Sequence, residues 1–140
     1  MKIGIWGICG KMGQILYKTI KETDGFETIF GVDKNIKQVD NVSIYDDESC
    51  NIKEKPDVII DFSNRSSTTR LLSQSLWLKS PLVICSTGQT TEDLIEIYSA
   101  AKDIPIMLTP NTSLGAEFLI NTTKKGADFF GENNYQIDIS

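Results

Sequence analysis

Short apolar runs alternate with amphipathic segments along most of the chain. The runs are almost continuously apolar, which is typical of strands that are buried on both faces of a sheet. The pattern predicts strands at 2–6, 27–33, 57–61, 82–86 and 104–108, and helices at 11–22, 66–78, 91–101 and 114–130. Strands that alternate with helices predict an α/β fold, a doubly wound parallel sheet covered by helices.

Two segments depart from this alternation. Segment 34–55 is polar, holds Asp46-Asp47-Glu48 and has room for one short strand at 42–45. Paired carboxylates suit acid–base chemistry or Ca²⁺, but EF-hand spacing is absent, so we expect a solvated loop here. Residues 135–140 alternate apolar and polar positions and predict a strand with no partner after it in the sequence.

Composition and charge narrow the class of protein. A chain of 140 residues is long enough for one domain. It carries 14 basic and 19 acidic side chains, a net charge of −5, which argues against a nucleic-acid partner. The apolar runs are far shorter than the roughly 20 residues that cross a membrane. Because glycines interrupt the first apolar run, it makes a poor secretory signal, and we expect a cytoplasmic protein without a membrane partner.

The sequence contains no histidine and three cysteines, Cys9, Cys50 and Cys85. The cysteine spacing matches neither a disulfide framework nor a zinc site, so we predict reduced packing thiols and no metal. Without imidazole, neither a Ser-His-Asp triad nor a Cys-His pair can form.

A glycine-rich turn follows the first predicted strand and opens the first predicted helix, in the segment Gly7-Ile8-Cys9-Gly10-Lys11-Met12-Gly13. Backbone N–H groups and a helix N-terminus converge at such a turn, where a phosphate can bind. We expect Gly7 to make the tight turn, Gly10 to let a pyrophosphate approach, and Gly13 to let helix and sheet pack closely. The spacing is one residue wider than the usual GxGxxG.

Asp33 closes the second predicted strand, 20 residues after Gly13. A carboxylate at this offset binds the ribose hydroxyls of a dinucleotide, and the next residue, Lys34, can pair with a 2′-phosphate. The two residues therefore predict a Rossmann-like domain that binds NADH or NADPH. The ligand of such a sheet lies beyond the carboxyl ends of the strands, where the chain has 61–63, 86–88 and 109–111.

Five ordered segments, at 7–13, 31–33, 57–63, 81–90 and 110–115, resemble the motifs of the 4-hydroxy-tetrahydrodipicolinate (dihydrodipicolinate) reductases. The resemblance implies an NAD(P)H-dependent oxidoreductase of the diaminopimelate route to lysine, which transfers hydride to a cyclic dicarboxylate.

The same resemblance implies a set of cofactor-binding residues. It assigns the pyrophosphate to Gly7, Gly10, Lys11, Met12 and Gly13, the adenosine ribose to Asp33 and Lys34, the middle of the cofactor to Phe62 and Ser63, and the nicotinamide to Ser86, Thr87 and Gly88, with Asn111 completing the set. Thr87 is also expected to face the substrate.

The chain departs from the family pattern at three positions. Cys85 stands where glycine is usual, Arg65 where proline is common, and Thr112 where an aromatic residue is common. We expect these differences to affect the contacts with the nicotinamide and not the fold.

Family members continue past the strand that matches 135–140, into His-His-x-x-Lys and Pro-Ser-Gly-Thr segments that supply the proton donor and the substrate anchors. We therefore expect 1–130 to be the nucleotide-binding domain and 131–140 the start of a truncated substrate domain. This chain is then expected to contain no catalytic residue and to bind the cofactor without turnover, while the full-length protein forms a homotetramer.

Two other functions fit parts of the pattern. Another two-domain NAD(P) dehydrogenase would share the glycine turn and Asp33. A module that senses NAD(H) without catalysis would also fit a chain of this length.

Overall fold

The computed structural model describes residues 1–49, 51–109 and 114–132. The elements, in chain order, are β1 (Lys2–Trp6), α1 (Lys11–Lys21), β2 (Glu27–Asp33), β3 (Ser43–Asp46), β4 (Val58–Asp61), α2 (Thr68–Leu78), β5 (Leu82–Ile84), α3 (Thr91–Ala100), β6 (Ile106–Leu108) and α4 (Leu114–Glu132). A short 3₁₀ turn, Arg65–Ser67, precedes α2. The chain divides into two units, Met1–Pro110, here called the sheet domain, and Asn111–Ser140.

The six strands form one parallel sheet in the order β3-β2-β1-β4-β5-β6. From β1 the chain first extends the sheet on one side, through β2 and β3, and then on the other, through β4, β5 and β6. A crevice opens where the order reverses, between the carboxyl ends of β1 and β4, and ligands of doubly wound sheets bind in such a crevice. The prediction of an α/β, doubly wound parallel sheet is confirmed.

Both faces of the sheet are buried, which explains the continuous apolar runs. Ile3 and Ile5 of β1 pack with residues of α1 on one face. Trp6 lies on the other face and belongs to the cluster that α2 and α3 cover. The largest fully buried apolar side chains, taken over both faces, are Trp6, Phe30, Ile5, Ile8, Ile52, Ile59, Leu71, Leu82, Ile84 and Val32.

Strand pairing sets the limits of the elements more tightly than the sequence pattern did. The predicted strand at 82–86 ends at Ile84, because Ile84 pairs with Asp61, the last residue of β4. The short strand predicted at 42–45 is β3, Ser43–Asp46, and it pairs with the end of β2. The helix predicted from Ser66 begins with the 3₁₀ turn and becomes α-helical at Thr68.

The predicted terminal strand at 135–140 lies outside the described residues, and the domain boundary at residue 130 stays a prediction. None of the helices in the described ranges is both long and apolar enough to cross a membrane.

Candidate functional site

A cleft of about 190 Å³ lies at the carboxyl edge of the sheet, above β1, β2 and β4. Its lining comes from five stretches of chain that meet at this edge. The lining residues are Trp6, Gly7, Gly10, Asp33, Lys34, Asn35, Asp47, Phe62, Ser63, Asn64 and Ser67.

The glycine turn forms one wall of the cleft. Gly7 has a φ of +81°, the left-handed conformation that favours glycine, and a Cβ there would lie 2.8 Å from the backbone of Phe62. A Cβ on Gly13 would lie only 2.1 Å from the Gly7 carbonyl oxygen, so α1 can start this close to β1 only with glycine. Gly10 caps α1 without a side chain. The first N–H groups of α1 have no intrahelical acceptor and face outward from the helix end.

Asp33 holds the turn in place from the end of β2. One carboxylate oxygen accepts a hydrogen bond from the Cys9 N–H at 2.9 Å, and the other accepts from the Asn35 N–H at 3.0 Å. The carboxylate therefore lies in the cleft with its orientation set by two backbone donors.

A cation and two amides line the rim beside Asp33. The Lys34 Nζ donates to the Ser66 hydroxyl at 2.8 Å, which joins the end of β2 to the 3₁₀ turn. Asn64 caps that turn, since its side-chain oxygen accepts from the Ser66 N–H at 3.1 Å. Lys34, Asn35 and Asn64 are exposed, so their polar groups face solvent at the mouth of the cleft.

The floor of the cleft is a buried polar network around Asp47. This carboxylate is 1% exposed and accepts hydrogen bonds from the Trp6 indole N–H at 2.8 Å and the Ser67 hydroxyl at 2.9 Å. Arg70 forms an ion pair with it at 3.2 Å. The prediction of a solvated loop at 46–48 is therefore wrong for Asp47, because the end of β3 brings this side chain under α2, where three donors compensate its burial.

A second buried carboxylate, Asp61, lies at the end of β4. It is 1% exposed and accepts from the Ser63 N–H at 2.8 Å, the Ser63 hydroxyl at 2.5 Å and the Ser86 hydroxyl at 2.6 Å. Burial raises the pKa of Asp61 above its ordinary value, although the bonds from Ser63 and Ser86 act in the opposite direction.

The loop after β5 carries the residues expected at the nicotinamide. Ser86 is buried, while Thr87 and Gly88 are exposed at the tip, where Gly88 has a φ of +85°. Cys85 is half-buried, and burial together with the nearby Asp61 charge raises the pKa of its thiol, so the thiol stays protonated at neutral pH.

Arg65 links this region to the start of α3. Its Nε donates to the Asp93 carboxylate at 2.6 Å. Asp93 and Thr90 form a capping box at the N-terminus of α3. The residue that replaces the family's common proline therefore adds an ion pair across the loops that follow β4 and β5.

Comparison with known proteins assigns the family. The family model for the N-terminus of dihydrodipicolinate reductase matches residues 1–112. The chain belongs to the dihydrodipicolinate reductase family. It is 39% identical over 127 residues to the 4-hydroxy-tetrahydrodipicolinate reductase of Caldanaerobacter subterraneus, covering 91% of this chain and 50% of the relative. It is 35% identical over 136 residues to the enzyme of Clostridium perfringens, covering 95% and 52%. The chain thus spans about half the length of these relatives.

Solved structures show the same fold. Dipicolinate-bound dihydrodipicolinate reductase from Paenisporosarcina matches with a TM-score of 0.71 at 23% identity, covering 91% of this chain and 53% of that one. Aspartate dehydrogenase from Thermotoga maritima matches with a TM-score of 0.59 at 19% identity, covering 77% and 44%. The wider likeness shows that the fold extends beyond the dihydrodipicolinate reductase family.

The structure distributes the residues expected from the family resemblance over three places. Six line the cleft, namely Gly7, Gly10, Asp33, Lys34, Phe62 and Ser63. Gly13 is buried below the turn, while Lys11 and Met12 are exposed in the first turn of α1. Ser86, Thr87 and Gly88 follow β5, and Asn111 and Thr112 lie outside the described residues.

Five cleft residues are missing from that expected set: Trp6, Asn35, Asp47, Asn64 and Ser67. Three of them could have been found from the sequence by their position, since Trp6, Asn35 and Asn64 lie at or just beyond the ends of β1, β2 and β4. Asp47 and Ser67 could not be predicted from the sequence, because their place in the cleft depends on where β3 and α2 pack.

Proposed function

We propose that the sheet domain binds a reduced nicotinamide dinucleotide, with the pyrophosphate at the N-terminus of α1. The observation that carries this proposal is the glycine turn. Gly7 and Gly13 bring α1 against the end of β1 so closely that a side chain at either position would meet backbone atoms. The helix end, capped only by Gly10, leaves backbone donors for an anion in the cleft. Lys11 and Met12 belong to the same first turn.

The residues at the end of β2 suit the adenosine ribose. Asp33 retains acceptor capacity for ribose hydroxyls, because each of its oxygens accepts only one of the bonds described above. The Lys34 ammonium, 2.8 Å from the Ser66 hydroxyl, suits a 2′-phosphate. Both NADH and NADPH are therefore proposed as cofactors.

The remaining part of the cofactor is proposed to lie along the loops after β4 and β5. Phe62 and Ser63 would contact its middle, and Ser86, Thr87, Gly88 and Asn111 its nicotinamide end. Since the Ser86 hydroxyl donates to Asp61, its contact with the nicotinamide is assigned to the backbone. Thr87, which is exposed, is proposed to face the substrate as well.

The bound dinucleotide supplies hydride, and we infer that the family-length protein delivers it to 4-hydroxy-tetrahydrodipicolinate, in the diaminopimelate route to lysine. The residues of this chain hold and orient the cofactor for that step. The 140 residues contain no histidine. We therefore propose that they bind the dinucleotide without turnover when tested alone. The family resemblance supports a cytoplasmic location and a homotetramer for the family-length protein.

Calorimetric titration of the 140-residue chain with NADH and NADPH tests the binding proposal. The key variant is Gly10→Ala, because Gly10 lines the cleft and the added methyl group would lie 3.2 Å from the Gly7 carbonyl oxygen, a contact that a small shift relieves. We expect its Kd for both dinucleotides to rise about tenfold or more, since the phosphate loses its close approach to the backbone.

Gly126→Ala is the matched control, because a Cβ at Gly126 of α4 meets no atom within 4 Å. It should leave both dissociation constants unchanged. The absence of binding heat with either dinucleotide contradicts the proposal, and so does full affinity in Gly10→Ala. Addition of the substrate to the NADPH-loaded chain is expected to leave the nicotinamide absorbance constant.

A further inference from the structure

Asp61 is a buried carboxylate with no described ion-pair partner and no function assigned to it above. None of the ion pairs among residues 1–49, 51–109 and 114–132 includes it. A carboxylate that is 1% exposed loses most of its hydration, which destabilises the fold unless hydrogen bonds replace the lost water. The hydrogen-bond donors around Asp61 therefore indicate which parts of the chain this carboxylate holds together.

Those partners belong to the two loops that flank the carboxyl ends of β4 and β5. Ser63 lies in the loop after β4, lines the cleft, and donates to Asp61 through both its N–H and its hydroxyl. Ser86 lies in the loop after β5 and donates through its hydroxyl at 2.6 Å. One side chain thus joins the cleft to the neighbouring loop.

Gln89 completes the base of the second loop. Its Nε2 donates to the Ser86 carbonyl oxygen and to the Ser86 hydroxyl oxygen, each at 3.0 Å. The Ser86 hydroxyl therefore accepts from Gln89 while it donates to Asp61. The loop is held at its base, and Thr87 and Gly88 remain exposed at its tip. Binding loops supported by a rigid scaffold are built in this way.

We propose that Asp61 is a positioning residue for the nicotinamide half of the dinucleotide, an inference that rests on the proposed function. By holding Ser63 and Ser86 together, Asp61 sets the distance between the cleft and the loop of Thr87 and Gly88. A ligand that spans both loops depends on this distance. A ligand that occupies only the cleft does not.

The test compares NADH with ADP-ribose, which lacks the nicotinamide, on the 140-residue chain. In Asp61→Asn, an amide replaces the charged acceptor, and in Ser86→Ala the bond between the loops is removed. For both variants we expect the Kd of NADH to rise about tenfold, from the lost hydrogen bond to a charged group. The Kd of ADP-ribose should stay within about twofold, because its contacts lie away from the loop after β5 and because the amide oxygen in Asp61→Asn still accepts both bonds from Ser63.

Asp103→Asn and Ser99→Ala are the matched controls, since both residues are exposed near the end of α3. Both controls should bind the two ligands as the parent chain does. If Asp61→Asn fails to fold, Ser86→Ala makes the same comparison with the carboxylate intact.

The outcomes separate this inference from the binding proposal. Equal weakening of NADH and ADP-ribose in folded variants assigns Asp61 to general stability and overturns the positioning role. Unchanged NADH affinity in both variants overturns it as well. A parent chain that binds neither ligand overturns the proposed function itself.

Discussion

Asp47 and Asp61 are each 1% exposed, and both lie at the carboxyl edge of the sheet. Each is retained because the surrounding chain supplies hydrogen-bond donors, an indole N–H, a serine hydroxyl and a guanidinium for Asp47, and two serines for Asp61. Removal of one partner from such a network leaves the others buried without compensation.

Asp47→Ala should therefore destabilise the sheet domain strongly. The substitution leaves the Trp6 indole N–H without the acceptor that lies 2.8 Å away and removes the ion-pair partner of Arg70. We expect the free energy of unfolding to fall by about 3 kcal/mol, measured by urea denaturation. Glu48→Ala, at the exposed neighbouring position, should change it by less than about 0.5 kcal/mol. A loss of that small size in Asp47→Ala would show that the network contributes little.

The start of α3 is stabilised by one contact between neighbouring residues and by one contact between residues far apart in the sequence. Thr90 and Asp93 form a capping box within four consecutive residues, which a sequence pattern can predict. Arg65, which precedes α2 in the sequence, donates to Asp93, 28 positions further along the chain. The pKa of Asp93 is lowered from its ordinary value of 3.8, chiefly by the Thr90 backbone N–H and then by Arg65.

The lowered pKa of Asp93 determines in which direction the stability of the fold changes with pH. Because the folded state holds the Asp93 carboxylate in its charged form, the stabilisation is present above pH 3.8 and is lost as the pH falls through the folded-state pKa. Asp93→Asn should lower the Tm at neutral pH, and the difference from the parent chain should shrink in this acidic range. Thermal melts over a pH series measure it, with Asp24→Asn, at an exposed turn position, as the control. A difference that is constant with pH would contradict the assignment.

For the sheet domain as one cooperative unit, ligand binding is linked to unfolding. The cleft draws residues from β1, β2 and the segments that follow β1, β2, β3 and β4, so unfolding of the sheet removes the whole site. A ligand that binds only the folded state raises its stability by mass action.

NADH at 100 times its Kd should therefore raise the free energy of unfolding by about 2.7 kcal/mol. In a thermal melt this corresponds to an increase of about 10 °C in Tm, since each kcal/mol shifts the Tm of a domain of this size by about 4 °C. Gly10→Ala at the same NADH concentration should show a smaller increase. A single-stranded oligonucleotide should produce none, in keeping with the net charge of −5. An NADH-independent Tm in the parent chain would contradict the linkage.

The order of strands and helices, the glycine turn and Asp33 could be predicted from the sequence because their causes are local or periodic. Apolar runs mark buried strands, and glycines mark a turn that a side chain would obstruct. The limits of β5 and β6 could not be predicted in the same way, because each strand ends where its partner strand ends. Ile84, the last residue of β5, pairs with Asp61, the last residue of β4. Leu108, the last residue of β6, pairs with Ile84.

The amino-acid order thus specified a doubly wound sheet with a glycine turn at its first helix, since both depend on neighbours a few positions apart. The burial of Asp47, the tie from Asp61 to Ser86 and the ion pair of Arg65 with Asp93 depended on the folded chain. These contacts join residues 20 or more positions apart. Their energies come from donors, charges and excluded water that meet only after the sheet and its helices have packed.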